Sequence, residues 1–263
     1  MMLASWNMAT PTATVLPMAA AAVAGAGACA AAAAYVSVAP RCAFWGPVVH
    51  RGDPGGQPRF ALTFDDGPSP ESTPAVLDTL AELGAKATFF VIGRNAQRNP
   101  QIVRRMYDQG HVVANHSFDH SHFGAMRRRG YWEQQVRTTD DLIRQIIGLK
   151  PALFRPPMGI RTWHVTRAAA RNGHTLITWT RRGLDGVRTT PQRIVDRLAM
   201  TTRAGDILIL HDGIEPNVRR DPSATVAAVG PLIRTLRDRG LEPASIAELT
   251  GVRAYEGIKG SHL

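Results

Sequence analysis

Two carboxylates stand side by side in ALTFDDGPSPES, residues 61–72: Asp65 and Asp66, at the end of an apolar run. Like charges in adjacent positions repel, and a carboxylate buried without a partner is costly. A turn needs one aspartate at most, and Gly67-Pro68 already supplies turn chemistry. The pair is therefore either a solvated loop tip or the seat of a positive charge. A second cluster, NHSFDHSHF at 115–123, bears on that choice. His116 and His120 are spaced i, i+4, which on a helical turn puts both imidazoles on one side, within reach of one cation. Alone, such a pair is more often a surface accident than a ligand set. With Asp66 as third ligand it becomes two imidazoles and a carboxylate with positions left open. That set suits one divalent ion, zinc or a similar metal such as cobalt or nickel, holding a reactive water. The cation offsets the repulsion between the aspartates: Asp66 binds it while Asp65 takes a proton from the water. His211, in LILHDG, can protonate a leaving group, its pKa set by a nearby carboxylate. The bland alternative is a histidine that caps a buried strand. His122, at i+2 from His120, points off that face and is expected to be structural or on the surface.

These side chains need a frame, and from residue 60 onward strand-like and helix-like patterns alternate. Extended runs are expected at 60–64, 87–92, 111–114, 152–154, 175–179 and 206–210. Helices are expected after Ser72-Thr73-Pro74, after Asn99-Pro100, over 131–147 and 162–171, after Thr190-Pro191, and over 223–239, followed by a short strand and helix. Proline suits the first helical turn, and the apolar spacing of Val76, Leu77, Leu80 and Leu83 marks one buried stripe. Such alternation implies an α/β fold with a mostly parallel sheet, open or closed into a barrel. Asp65, Asp66, His116, His120, Arg155, Asp185 and His211 each fall just after a strand. In a parallel α/β barrel those positions converge on one rim, where active sites form.

The motifs together carry a resemblance. TFDDGP at 63–68, HSFDH at 116–120, RPPMG at 155–159, WTRRGLDG at 179–186 and LILH at 208–211 occur in this order. They resemble the five motifs of the polysaccharide deacetylases, the NodB-homology carbohydrate esterases, over residues 60 to 250. The resemblance implies a distorted (β/α) barrel and metal-dependent hydrolysis of an N-acyl group, usually acetyl, on an amino sugar in a polysaccharide or oligosaccharide. It makes Asp65 the catalytic base, oriented by Arg155. It makes Asp66, His116 and His120 the metal ligands, and His211 the general acid tuned by Asp185. Leu208 and Leu210 are expected to line the pocket for the acyl methyl group, with Pro157, Met158 and Trp179 along the substrate site. Two departures stand out. Met158 replaces the usual tyrosine after the two prolines, which costs little where the backbone N–H serves the oxyanion. Arg182 and Gly186 replace an expected aspartate and tryptophan, which opens the site and adds a positive charge to it.

Composition bounds the rest. The 263 residues suit one large domain, and the formal charge of +10 favours anionic partners. Its arginine clusters are short, scattered and free of interleaved aromatics, so no nucleic-acid partner is expected. Two cysteines, Cys29 and Cys42, exclude a disulfide framework and a cysteine-ligated zinc site. Residues 1–40 carry no charge, and the run Ala19 to Val38 is about long enough to span a bilayer, though weakly apolar. The expected organisation is an uncharged segment over 1–40 acting as a membrane anchor or signal. A linker over 41–58, the deacetylase domain over 59–250 and a tail over 251–263 follow. Export or a soluble cytoplasmic location is the alternative to anchoring. The partner is an N-acylated amino-sugar glycan or, alternatively, a lipid-linked amino sugar, acetylated or formylated. An inactive, membrane-tethered glycan-binding relative would have lost one of Asp65, Asp66, His116, His120 or His211, and all are present. A haloacid-dehalogenase-type phosphatase needs its two aspartates one residue apart, which FDDG does not offer.

Overall fold

The computed structural model describes residues 15–53, 57–216, 218 and 221–257. An N-terminal helix, α1 (Val15–Val38), precedes the alternating body. The body runs β1 (Arg59–Asp65), α2 (Thr73–Glu82), β2 (Thr88–Val91), α3 (Gly93–Arg98), α4 (Pro100–Asp108) and β3 (Val112–Asn115). It continues with α5 (Arg129–Ile147), β4 (Leu153–Phe154), α6 (Trp163–Arg171), β5 (Thr175–Leu176), β6 (Arg181–Arg182) and α7 (Pro191–Thr201). β7 (Ile207–His211), α8 (Ser223–Asp238), β8 (Glu242–Ala244) and α9 (Ile246–Thr250) complete it. Helix starts follow local chemistry. Thr162 and Thr190 accept hydrogen bonds from the N–H groups of Val165 and Arg193, and Ser245 with Glu248 forms a capping box. Short α3 and β6 escaped the periodicity reading because neither is long enough to show a period.

The sheet is parallel throughout, in the order β5-β4-β3-β2-β1-β7-β6, with β8 beside the start of β1. Laid flat, the six strand spacings in that order would separate β5 from β6 by roughly 29 Å. Yet β5 and β6 are consecutive, and the extended chain between them can span at most about 18 Å. The sheet must therefore curl, which makes it a distorted (β/α) barrel, as the family resemblance implied. Central strands β1, β2 and β3 are buried on both faces, as parallel strands covered by helices must be. Phe60, Leu62, Phe64, Phe89, Phe90 and Leu208 belong to that core.

The flanking segments are fastened to the barrel. Val49 bridges Ile177, and Arg51 bridges Asp206, so the described part of the stretch expected as a linker packs on the sheet. Buried Arg161 donates to the carbonyls of Ala39 and Cys42, and its N–H to that of Ser37. At the other end, the hydroxyl of buried Tyr255 accepts from the N–H of Val113. The described part of the uncharged segment thus forms a helix, α1. Among the described residues no helix is long and apolar enough to cross a membrane.

Candidate active site

Asp65 ends β1, and Asp66 follows it in the left-handed region at φ 71°. That reversal lets both adjacent carboxylates face one imidazole, with Asp66 Oδ1 3.5 Å and Asp65 Oδ2 3.7 Å from His116 Nε2. It is costly for a residue with a Cβ, and such strain clusters at functional sites. The turn leaves no room around it. A Cβ on Gly67 would lie 2.2 Å from Asp212 Oδ2, and one on Gly213 would lie 2.4 Å from the Asp66 carbonyl. Asp212 itself is buried, and burial pushes its carboxyl up to about 7 despite a 2.6 Å hydrogen bond donated by Thr73 Oγ1. Ser72, expected to start α2, spends its hydroxyl on the Asp212 carbonyl instead of capping the helix. The loops after β1 and β7 are thereby locked together.

His116 and His120 follow β3, but no helical turn carries them. Ser117 and His120 are both left-handed, at φ 67° and 50°, so an irregular loop gathers the imidazoles that i, i+4 spacing was expected to align. His116 Nδ1 lies 2.6 Å from the Arg155 carbonyl. A carbonyl can only accept, so the ring proton sits on Nδ1 and Nε2 presents a lone pair. That lone pair faces Asp66 Oδ1 at 3.5 Å and Asp65 Oδ2 at 3.7 Å, and His120 Nε2 faces Asp66 Oδ1 at 3.4 Å. Three lone-pair donors converging in a buried spot repel one another unless a cation lies between them. The donor atoms of Asp66, His116 and His120 all lie within 4.8 Å of one another, so the trio fits a divalent metal ion.

Two dyads flank the trio. Arg155, fully buried after β4, donates from Nη1 to Asp65 Oδ1 at 2.6 Å and to Thr63 Oγ1 at 2.8 Å. Its guanidinium also lies 4.0 Å over the Phe90 ring, which fixes its plane. On the other side, Asp185 accepts from the backbone N–H of His211 at 2.7 Å, from Thr225 Oγ1 at 2.8 Å and from His211 Nδ1 at 3.0 Å. Burial opposes charge on His211, but the Asp185 carboxylate, together with Asp66 and Asp65, outweighs it, and the imidazole is raised to about 9. His211 therefore carries its proton at neutral pH.

A cleft of about 430 Å³ opens over these groups, lined by Asp65, Asp66, His116, His120 and His211 with Met158 and Trp179. Arg155 and Asp185 sit buried behind it. Of the residues expected along the pocket, Met158 and Trp179 line this cleft, while Leu208, Leu210 and Pro157 are buried. Alternate residues of a strand face opposite ways. Ile209 and His211 of β7 therefore reach the cleft, while Leu208 and Leu210 pack in the core. After the prolines it is Met158, Gly159 and Ile160 that line the cleft.

Val38 and Glu215 are among the lining residues missed from sequence. Val38, at the end of α1, forms part of the wall, and no local pattern marked it. Glu215, four residues past His211, places Oε2 3.1 Å from His120 Nδ1 and also contacts His122 Nε2. Burial raises the Glu215 carboxyl, yet the two histidines hold it down at about 2. His122 thus reaches back to the metal loop's supporting carboxylate from an otherwise exposed position. The one available signal was an acid shortly after LILHDG.

The model of the family described as polysaccharide deacetylase matches residues 52–177. A chitooligosaccharide deacetylase of Sinorhizobium fredii is 41% identical over 191 residues, covering 70% of this chain and 88% of that protein. A peptidoglycan-N-acetylglucosamine deacetylase of Bacillus cereus is 32% identical over 198 residues, 74% of this chain and 90% of that protein. Among solved structures, the Bc1960 peptidoglycan N-acetylglucosamine deacetylase has a TM-score of 0.71 at 25% identity, covering 78% of this chain and 93% of that one. With the barrel, the five motifs in register and relatives matched over nearly their whole length, the chain belongs to the polysaccharide deacetylases and is a hydrolase of linear amide bonds.

Proposed function

We propose that the chain removes the acetyl group from N-acetylglucosamine units of an oligosaccharide or cell-wall glycan, with zinc as the bound metal. The observation that carries this reading is the pairing of two differently tuned dyads, Arg155–Asp65 and Asp185–His211, across the Asp66/His116/His120 trio. Asp66, His116 and His120 would hold a divalent cation, which when bound would supply Lewis acidity toward the amide carbonyl and a water. Asp65, held through Oδ1 by Arg155, offers Oδ2 to take the proton of the attacking water. The backbone N–H of Met158, in a left-handed turn at the cleft wall, is the candidate donor to the oxyanion. An amine departs far more readily than an amide anion, so the nitrogen must be protonated as the C–N bond breaks. His211, protonated up to about pH 9 and held at Nδ1 by Asp185, delivers that proton from Nε2.

The test is acid release from chitotetraose and from peptidoglycan glycan strands, before and after dipicolinate treatment and with zinc or cobalt restored. Acetate that disappears with the chelator and returns with metal supports the reading. Formate released from N-formyl amino sugars, with no acetate from either glycan, would overturn the acetyl assignment. Turnover that survives complete metal removal would overturn the role of the trio.

A further inference from the structure

Arg182 is the one Lys or Arg side chain among the described residues that line the catalytic cleft. It lies in β6, whose register pairs it with Ile209 of β7, itself a cleft residue. Its neighbour Arg181 turns the other way and is committed to Asp206, with Nε 3.0 Å from Oδ2. Strand alternation thus divides two adjacent arginines between a structural ion pair and the substrate cleft. The Arg182 guanidinium stacks 5.5 Å over the ring of Trp179, and no carboxylate pairs with it among the described residues. Trp179 is itself fixed: it packs so closely on Gly159 that a Cβ there would fall 2.4 Å from its Cη2. A rigid aromatic plane therefore holds the guanidinium in place at the cleft while its N–H donors stay exposed. Those donors form a fork that matches a carboxylate or a phosphate in two parallel hydrogen bonds. Next to it, Gly186 and Val187 are exposed and leave the wall open for a bulky substituent.

We propose that Arg182 is a specificity-determining residue that engages an anionic group, a carboxylate or a phosphate, on the sugar flanking the acetylated one. This rests on the deacetylase reading above and narrows its substrate class to acidic glycans. A neutral chitooligosaccharide offers the guanidinium only uncharged acceptors, its hydroxyl, acetamido and ether oxygens. A strand whose alternate sugars carry a lactyl carboxylate offers it a charge.

The experiment compares kcat/KM on chitotetraose, on a peptide-free cell-wall tetrasaccharide with lactyl carboxylates, and on chitotetraose bearing one phosphate. The wild type and Arg182→Gln are assayed at low and high salt. The wild type is expected to favour the acidic substrates, and R182Q to lower the acidic-to-neutral ratio by about tenfold through KM. The two acidic arms separate carboxylate from phosphate. Calorimetric binding of the same three glycans to Asp65→Asn and to the D65N/R182Q double variant reads the same ratio without turnover. An unchanged ratio in R182Q, by turnover and by binding, overturns the proposal while leaving the deacetylase reading standing. Acetate from none of the substrates fails the deacetylase reading, and the binding ratio then still decides the role of Arg182.

Discussion

Two histidine–aspartate pairs in this molecule have nearly the same contact geometry and opposite uses. His211 Nδ1 lies 3.0 Å from Asp185, and His174 Nε2 lies 2.8 Å from Asp140. The His211 ring is partly open, at 21% side-chain exposure, and lines the cleft, whereas the His174 side chain is fully buried. The carboxylates also spend their second interactions differently. Asp185 binds both the ring and the backbone of His211, so one acid holds position and charge together. Asp140 accepts from Asn115 Nδ2 at 2.7 Å, and Asn115 Oδ1 accepts from the N–H of Ser117. The interior pair therefore braces the left-handed turn of the metal loop from behind, through Asn115. A histidine–carboxylate pair can serve as a proton donor when its ring opens on a cleft, and as a strut when it is enclosed.

That contrast breaks most sharply at His211. His211→Ala is expected to lower kcat by about 10²- to 10⁴-fold, the worth of a positioned proton donor. Its melting temperature should fall less than that of His174→Ala. In the wild type, His211 loses its proton as pH rises through about 9, so kcat/KM should fall on the alkaline side near that value. Asp185→Asn removes the charge that raises the imidazole, and the alkaline limb should move down toward the ordinary histidine range. A limb that stays near 9 in D185N would assign it to another group.

The interior pair should respond in stability. His174→Ala leaves Asp140 buried beside an empty ring site, a loss of about 3–5 kcal/mol for a broken buried pair. Thermal unfolding would read that loss, while the alkaline limb of the enzyme that remains folded stays in place. If H174A moved the limb instead, the two pairs would be coupled and the distinction between them would fail.

The smallest effect is expected at the third such contact. Glu215 touches the outer nitrogen of His120 rather than the substrate, so Glu215→Gln should weaken metal binding by about 10- to 100-fold. Competition against a chelator, followed by cobalt absorption, measures it. Unaltered metal affinity would make Glu215 a surface partner of His122 and no more.

Much of this organisation was legible in the chain. Strand-helix alternation predicted a parallel sheet, because buried strands and amphipathic helices have different periods and proline and glycine mark their ends. The adjacent acids and paired histidines signalled a cation, because their repulsion and lone pairs need one. What escaped was whatever depends on direction rather than order. Leu208 and Leu210 were expected in the pocket and Ile209 was overlooked, since a strand's sequence does not say which of its two faces looks into the barrel. His116 and His120 were expected on a helical turn, but the positive φ angles of Ser117 and His120 carry them in a loop.

The sequence by itself determined which residues can do chemistry here and that they follow the ends of strands. Local propensity, motif order and ionic character are properties of neighbours along the chain. The tertiary structure alone decided that Val38 walls the cleft, that Glu215 backs His120, and that Arg182 lines the cleft while Arg181 pairs with Asp206. Those contacts join segments tens to over a hundred residues apart, or turn on which side of a curled sheet a side chain falls. Both are fixed by how the barrel packs, and no local pattern encodes them.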